Sequence, residues 1–415
     1  PPLFGCLGAG RDFPRSGMRP LQLVLLTRRY WPQVGGAEMV MARLAAQFQQ
    51  AGIEVCVLTA QWESHWPTDL VHRGAQVTRI ANPRARGWGT YRYMRGIARW
   101  LRTHRDQFDL VYVSMLKHDA YAALGALRSL SRPVVLRAEG SGETGDCAWH
   151  LQARFGPRIR QRCQTAQAVV APSDDIAAEL QAAEFNPQQI HRIDNGVPVP
   201  DLDQLPNCAE SRRALADGNR DLQVKPNAPV VLYTGRLHEA KGLFDLVRAW
   251  PQVLKRWPQA RLWMVGEGPA GQALWDLAKE LHLQGALFLP GAYDEVIDLL
   301  IAADLFVLPS YHEGMSISLL EAMASGTPVV ASDISANRKL VQHREHGLLF
   351  RPGSVEGLAA AMIRQIEHAA QARDWAAQAR RRVETSFSLE QMVREHLSLF
   401  EQLCPPTTTG ARDRG

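Results

Sequence analysis

The sequence predicts an α/β fold built on parallel sheets and divided into two domains. Three observations carry this reading. Short apolar runs without polar alternation, at 21–27 and 230–234 for example, have the pattern of strands covered on both faces. Glycine-containing loops and helix-length segments follow such runs, and the clearest unit, residues 304–333 (DLFVLPSYHEGMSISLLEAMASGTPVVASD), reads as strand, loop, helix, turn and strand. With 415 residues, the chain is long enough for two domains that each bury a core.

In chain order, residues 1–17 contain Gly, Pro and Arg without a continuous apolar core, so they read as a disordered extension before a natural start at Met18 and not as a signal peptide. Strand 21–27 leads through RRYWPQVGGAE into a helix from 37 to about 51. Gly35 and Gly36 serve either a tight strand-to-helix turn or the close approach of backbone to a ligand. A second strand spans 53–59, and a less regular stretch runs to about 83. Within 84–105 (RARGWGTYRYMRGIARWLRTHR), helical spacing puts Met94, Ile97, Ala98 and Leu101 on one face and Arg92, Arg95, Arg99 and Arg102 in an adjoining stripe. Such a helix either packs on the sheet with its arginines in solvent or lies on an anionic membrane surface.

Residues 109–114 form another buried-type strand, and His118 falls just past its carboxyl end, where ligands of open α/β sheets gather; capping or packing is its plainer role. Strand 133–138 precedes EGSGETGDCAWH, a flexible acidic loop carrying Glu139, Glu143 and Asp146. A strand at 168–171 leads to a helix capped by Ser173. The stretch 201–228 is rich in polar and turn residues, lacks a buried strand, and is taken as the connection between domains.

The second domain begins with strand 230–234 and the loop GRLHEAKG, in which Arg236 offers a planar fork of donors and Lys241 a mobile point charge. Strand 261–265 enters Gly266-Glu267-Gly268, and 287–289 precedes Gly291; G-x-G alone is explained as well by a turn. In the 304–333 block, Glu313 lies in the loop and Glu321 on the helix, with seven residues between them. The helix start at Gly314, Met315, Ser316 and Ile317 exposes N–H groups that suit a phosphate. A carboxylate would repel that phosphate, so both glutamates are better placed to accept hydrogen bonds from flanking hydroxyls. A diphosphate with sugar hydroxyls on both sides is a nucleotide sugar. A short strand at 347–350, helices from 354 to about 403 and the tail PPTTTGARDRG complete the chain.

The 304–333 block resembles the E-x7-E signature of retaining glycosyltransferases with the GT-B fold, in the glycogen-synthase-like glycosyl transferases group 1 family of the glycosyltransferase family 4 type. Asp194-Asn195-Gly196-Val197 is similar to that family's P-N-G-V-D turn, with Asp194 in place of Pro. The resemblance implies two Rossmann-like, doubly wound domains facing across a cleft, metal-independent transfer from a UDP- or GDP-sugar, and retention at the anomeric carbon. It implies an extension at 1–17, an acceptor domain at 18–200, a linker at 201–228, a nucleotide-sugar domain at 229–385, a last helix at 386–404 crossing back to the first domain, and a disordered tail at 405–415. By motif position Glu313 contacts the donor sugar and Glu321 the ribose. Arg236 and Lys241 neutralise the diphosphate, against which Gly35, Gly36 and the Gly314–Ile317 turn also lie. His118 reaches the donor sugar or reaction centre, and Gly235, Gly266 and Gly291 line the donor, the last opening a base pocket to Tyr293. Glu139, Glu143 and Asp146 are the expected acceptor contacts; no D-x-D pair follows a strand there to argue for a metal.

Apolar residues at 46% and charged residues at 21% are ordinary for a globular chain. The net charge of +5 is mild and gives no reason to invoke nucleic acid. Six scattered cysteines without C-x-x-C indicate neither zinc nor a disulfide framework, which fits the cytosol. The expected partners are the nucleotide-sugar donor, a glycan or lipid-linked acceptor and, through the basic segment, the cytoplasmic face of a membrane. Competing readings are a phosphorylase or nucleotide-sugar epimerase on the same scaffold, or a catalytically silent binding module.

Overall fold

The computed structural model describes residues 19–33, 35–83, 88–130 and 132–405. The extension expected at 1–17, the start at Met18, the head of the basic segment at 84–87 and the tail from 406 lie outside the described residues. The chain forms two compact units, one from residues up to Asp194, Gly35 and Gly36 excepted, and again from Val393, the other from Asn195 to Met392 together with Gly35 and Gly36.

The first unit is built on an eight-stranded sheet: β1 (Gln22–Leu26), β2 (Glu54–Gln61), β3 (Asp69–His72), β4 (Ala75–Ala81), β5 (Leu110–Ser114), β6 (Val134–Arg137), β7 (Ala168–Ala171) and β8 (Ile190–Arg192). Their order is β3-β4-β2-β1-β5-β6-β7-β8. All neighbours are parallel except β3 and β4. Strands β5, β6 and β7 are buried throughout, as their apolar runs require; the polar exceptions, Ser114 and Arg137, end β5 and β6 and are buried with them. Helices α1 (Gly36–Gln50), α2 (Trp88–Thr103), α3 (His118–Leu127), α4 (Asp146–Gln152), α5 (Gly156–Cys163) and α6 (Asp174–Ala182) connect them.

The second unit holds a fully parallel sheet in the order β11-β10-β9-β12-β13-β14. Its strands are β9 (Val230–Thr234), β10 (Arg261–Val265), β11 (Leu287–Phe288), β12 (Leu305–Leu308), β13 (Val329–Ser332) and β14 (Leu348–Phe350). Helices α7 (Cys208–Gly218), α8 (Leu243–Arg256), α9 (Gly271–Glu280), α10 (Ile297–Ala302), α11 (Ile317–Ala324), α12 (Ser335–Leu340), α13 (Val355–Glu367) and α14 (Ala369–Ser386) belong to it. The last helix, α15 (Leu389–Leu403), passes into the first unit at Val393. There His396 is fully buried, with its Nε2 2.8 Å from the Tyr112 hydroxyl and its ring against Phe48.

Each sheet reverses its order beside its first strand, between β1 and β5 in the first unit and between β9 and β12 in the second. The carboxyl ends of strands at such switch points leave a crevice between loops that diverge to opposite sides, which is where ligands of this architecture sit.

Two expectations are corrected. The irregular stretch before residue 83 contains the β3–β4 hairpin, turned by Arg73 (φ 50°) and Gly74 (φ 84°), both in the left-handed region a two-residue turn demands. An arginine obscured it: Arg79 is buried in β4, bonded to the carbonyls of Pro67 at 2.6 Å and Trp31 at 2.9 Å. The acidic loop after β6 is ordered by a 3-10 turn (Gly142–Thr144) and α4. The stretch 201–228 has no strand, as expected, and contains α7, started by a capping box between Asn207 and Glu210. On α2, the apolar face closes on the core through Tyr93, Ile97 and Leu101, while Arg92, Arg95, Arg99 and Arg102 are all exposed.

Candidate functional site

In the second unit, the loops leaving β9, β10 and β12 are fitted backbone to backbone. Gly235 N–H donates to Val265 O at 3.0 Å, and Gly266 N–H to Gly291 O at 2.8 Å. Gly266 has φ 139°, and a Cβ there would stand 2.0 Å from Gly235 O. Gly242 has φ 65°, and its Cβ would stand 2.1 Å from Pro309 O. No side chain fits at either position, so glycine permits the approach of the β9 loop to the β12 loop.

That approach sets the charged groups. Lys241 ends a 3-10 turn (Glu239–Lys241), and its Nζ lies 2.7 Å from Glu313 Oε1. The same oxygen accepts from Ser310 Oγ at 2.7 Å. Both partners are partly desolvated, with 28% of the Lys241 side chain and 10% of the Glu313 side chain exposed, so the pair is a charge-assisted bond in a sheltered place. Behind it runs a fully buried polar chain: Asn337 Nδ2 donates to Ser332 Oγ at 3.1 Å, and Ser332 Oγ to Ser310 O at 2.5 Å. The Tyr311 N–H donates to Ala240 O at 3.0 Å, and its hydroxyl to Asp245. Ser310, Ser332 and Asn337 were not singled out in the sequence, since buried serines there leave no periodic signal.

Arg236 is exposed on the same loop, its carbonyl accepting from Tyr233 at 3.0 Å. Ser316 caps α11 by accepting from Leu319 N–H at 3.3 Å, next to Gly314, buried Met315 and half-buried Ile317. Glu321 is half-buried on α11. The Glu313 carboxylate is thus held by a cation and a hydroxyl, and the same loops carry an exposed guanidinium and a capped helix start, a set able to receive a phosphate and hydroxyls together. The groove of about 700 Å³ lined by Pro229, Asp304 and Pro328 opens at the opposite, amino ends of the strands and takes no part in this arrangement.

Gly36, at the start of α1 and grouped with the second unit, faces open space, since a Cβ there would meet nothing within 4 Å; Gly35 immediately precedes it. His118 is the first residue of α3, edge-on to Trp149 at 5.2 Å. Burial, then the charges of Arg28 and Lys117, lowers its pKa below 6.5. The acidic trio divides. Asp146 is 3% exposed and accepts from Leu116 N–H at 3.2 Å and Glu139 N–H at 2.9 Å, so its oxygens are spent on scaffold. Glu139 accepts from Ser114 at 2.9 Å and Arg137 at 3.0 Å, and burial pushes its carboxyl up. Only Glu143 is exposed. Arg28 and Lys117 were missed, although the carboxyl ends of β1 and β5 were legible and the switch-point rule points to both. Among the described residues, no three His, Cys, Asp or Glu side chains are grouped so as to hold a metal ion.

Residues 228–368 match the family described as Glycosyl transferases group 1, and residues 34–199 that described as Glycosyltransferase Family 4. The chain is 33% identical over 158 residues to the lipopolysaccharide core biosynthesis glycosyltransferase LpsE of Rhizobium meliloti, covering 38% of this chain and 45% of that protein. It is 29% identical over 377 residues to the D-inositol 3-phosphate glycosyltransferase of Nocardia farcinica, covering 81% and 80%. For several curated relatives the match spans about half or less of their length, 45%, 54% and 38% in three cases. HepE of Anabaena, solved in complex with UDP-glucose, superposes with a TM-score of 0.75 at 19% identity, covering 92% of this chain and 100% of that one. With both units matched in sequence and the two parallel-sheet α/β units shared with solved structures, the chain belongs to the group 1 glycosyl transferases of the family 4 type and has the GT-B fold.

Proposed function

We propose that this protein is a retaining glycosyltransferase that moves a sugar, a hexose by preference, from a UDP- or GDP-sugar to a hydroxyl of a glycan or lipid-linked acceptor in the synthesis of cell-surface polysaccharide. The observation that carries the reading is the Lys241–Glu313 pair at the β9/β12 switch point. The LpsE relative and the UDP-glucose bound to HepE support it.

In the reaction, the bond from the anomeric carbon to the diphosphate oxygen breaks with its electron pair leaving on the diphosphate. The acceptor oxygen attacks from the same face and its proton passes to a leaving phosphate oxygen, giving a glycoside and a nucleoside diphosphate. Lys241, Arg236 and the start of α11 stabilise the growing negative charge, an interaction strongest in the transition state. Glu313, released by Lys241, orients the donor sugar through its hydroxyls; Glu321 holds the ribose, and Gly35, Gly36, Gly235, Gly266 and Gly291 let backbone approach the donor. His118 stands by the reaction centre. The exposed arginines of α2 are suited to an anionic membrane surface at the cytoplasmic face.

Turnover with a panel of UDP-, GDP- and ADP-sugars, with the product's anomeric configuration read by proton NMR, tests the reading. Nucleotide released only with acceptor present and with retention supports it; inversion, or a trapped covalent glycosyl-Glu313, overturns the mechanism. Activity that EDTA abolishes and manganese restores overturns metal independence.

A further inference from the structure

At the other switch point, between β1 and β5, two partly exposed cations are held by buried acids. Arg28 follows β1, and its Nη1 lies 3.6 Å from Asp119 Oδ1; Lys117 follows β5, and its Nζ lies 3.9 Å from Asp146 Oδ1. The carboxylate side chains are 5% and 3% exposed, whereas those of Arg28 and Lys117 are 27% and 30% exposed. The cations are the more exposed member of each pair, and both distances exceed those of charged hydrogen bonds; Arg28 Nη2 also donates to Asn82 Oδ1 at 3.3 Å, which leaves the other guanidinium donors and the Lys117 ammonium to meet an anion. Aromatic rings fix the heads: the Arg28 guanidinium lies 4.5 Å from the centre of the Tyr93 ring, and Lys117 Nζ 5.6 Å from that of Trp149. Both charges bear on the ring of His118, and with burial they lower its pKa.

We propose that Arg28 and Lys117 form an anion-binding subsite, and that the acceptor of this protein carries a phosphate or carboxylate beside the hydroxyl that receives the sugar. A guanidinium fork and a mobile ammonium together match the flat face and the third oxygen of a phosphate, and match a carboxylate nearly as well. A neutral glycan would draw only weaker hydrogen bonds from these two cations, whereas an anionic group adds charge-assisted bonds to each. The word acceptor rests on the proposed glycosyl transfer; the anion subsite does not.

The test titrates the full chain with glucose, glucose 6-phosphate, glucuronate and a short-chain polyprenyl diphosphate sugar by isothermal calorimetry, with UDP titrated separately. Binding of any anionic probe at least about tenfold tighter than glucose, weakening with salt, is the expected result. The soluble and polyprenyl probes separate a free sugar phosphate from a lipid-linked one. Lys117→Met is the primary variant, because Arg28→Met strands the buried Asp119 and is read only if its melting temperature is retained. Lys117→Met should weaken the anionic probe about tenfold and leave UDP within about twofold. Glucose binding as well as its phosphorylated twin, no binding of any anionic probe, or unchanged anion binding in Lys117→Met overturns the subsite. UDP and GDP are titrated in parallel, and absence of binding by both overturns the donor reading and leaves the subsite to its own arm.

Discussion

The ammonium of Lys241 and the carboxylate of Glu313, 72 positions apart, meet at 2.7 Å because β9 and β12 are neighbours at the switch point of the second sheet. In the proposed reaction the pair opens, Lys241 turning to phosphate and Glu313 to hydroxyls. Lys241→Ala and Glu313→Ala should each lower turnover at least about tenfold, or about 1.4 kcal/mol of barrier. Because the two groups touch, the double variant should lose less than the product of the single losses. Steady-state kinetics on all four proteins checks this; strict additivity would mean that the contact has no part in turnover.

Tyr311 stands two residues before Glu313 and ties its loop to α8 through Asp245. Tyr311→Phe removes that bond at a partly exposed position, so unfolding should cost about 1 kcal/mol less. Urea titration should show a lower midpoint at an unchanged m-value. Sugar transfer should slow through kcat more than through KM if the tie positions Glu313, whereas a purely structural tie would leave both constants alone.

His118 should titrate below 6.5, by burial first and then through the cations Arg28 and Lys117. The sign follows from linkage: with a depressed folded pKa, the unfolded chain binds more protons, so this group's contribution is present above pH 6.5 and is lost as pH falls through the lower folded value. Imidazole resonances followed by NMR should place the midpoint below 6.5 and move it upward in Lys117→Met. A midpoint at or above 6.5 would remove the cations from the neighbourhood of the ring.

On α2, the apolar face is used by the core, which leaves Arg92, Arg95 and Arg99 for an external surface. Flotation with vesicles containing anionic lipid should carry the protein upward at low salt, and the triple replacement of these arginines by Glu should abolish it. Equal flotation of both proteins would assign the arginines to solvent.

Much of the strand pattern was readable because buried parallel strands are unbroken apolar runs, as in Val230–Thr234 and Ala168–Ala171. The β3–β4 hairpin was not, since a buried Arg79 looks polar until its carbonyl partners are known. Helix α7 was hidden in a polar segment because its helical state rests on a capping box and packing, and not on an apolar stripe. Among the candidate residues, Glu313, Glu321, Arg236 and Lys241 stood out by motif, while the serines beneath Glu313 and the cations Arg28 and Lys117 did not.

The sequence by itself determined the α/β class, the two-domain scale and the chemical types gathered in the motifs, because burial periodicity, glycine positions and motif spacing are local properties of the chain. Only the tertiary structure decided which of those residues face one another: that Lys241 meets Glu313, that Asp146 is spent on backbone amides, and that Arg28 and Lys117 stand at one switch point. Strand order is set by packing between segments far apart in the chain, and no local pattern encodes it.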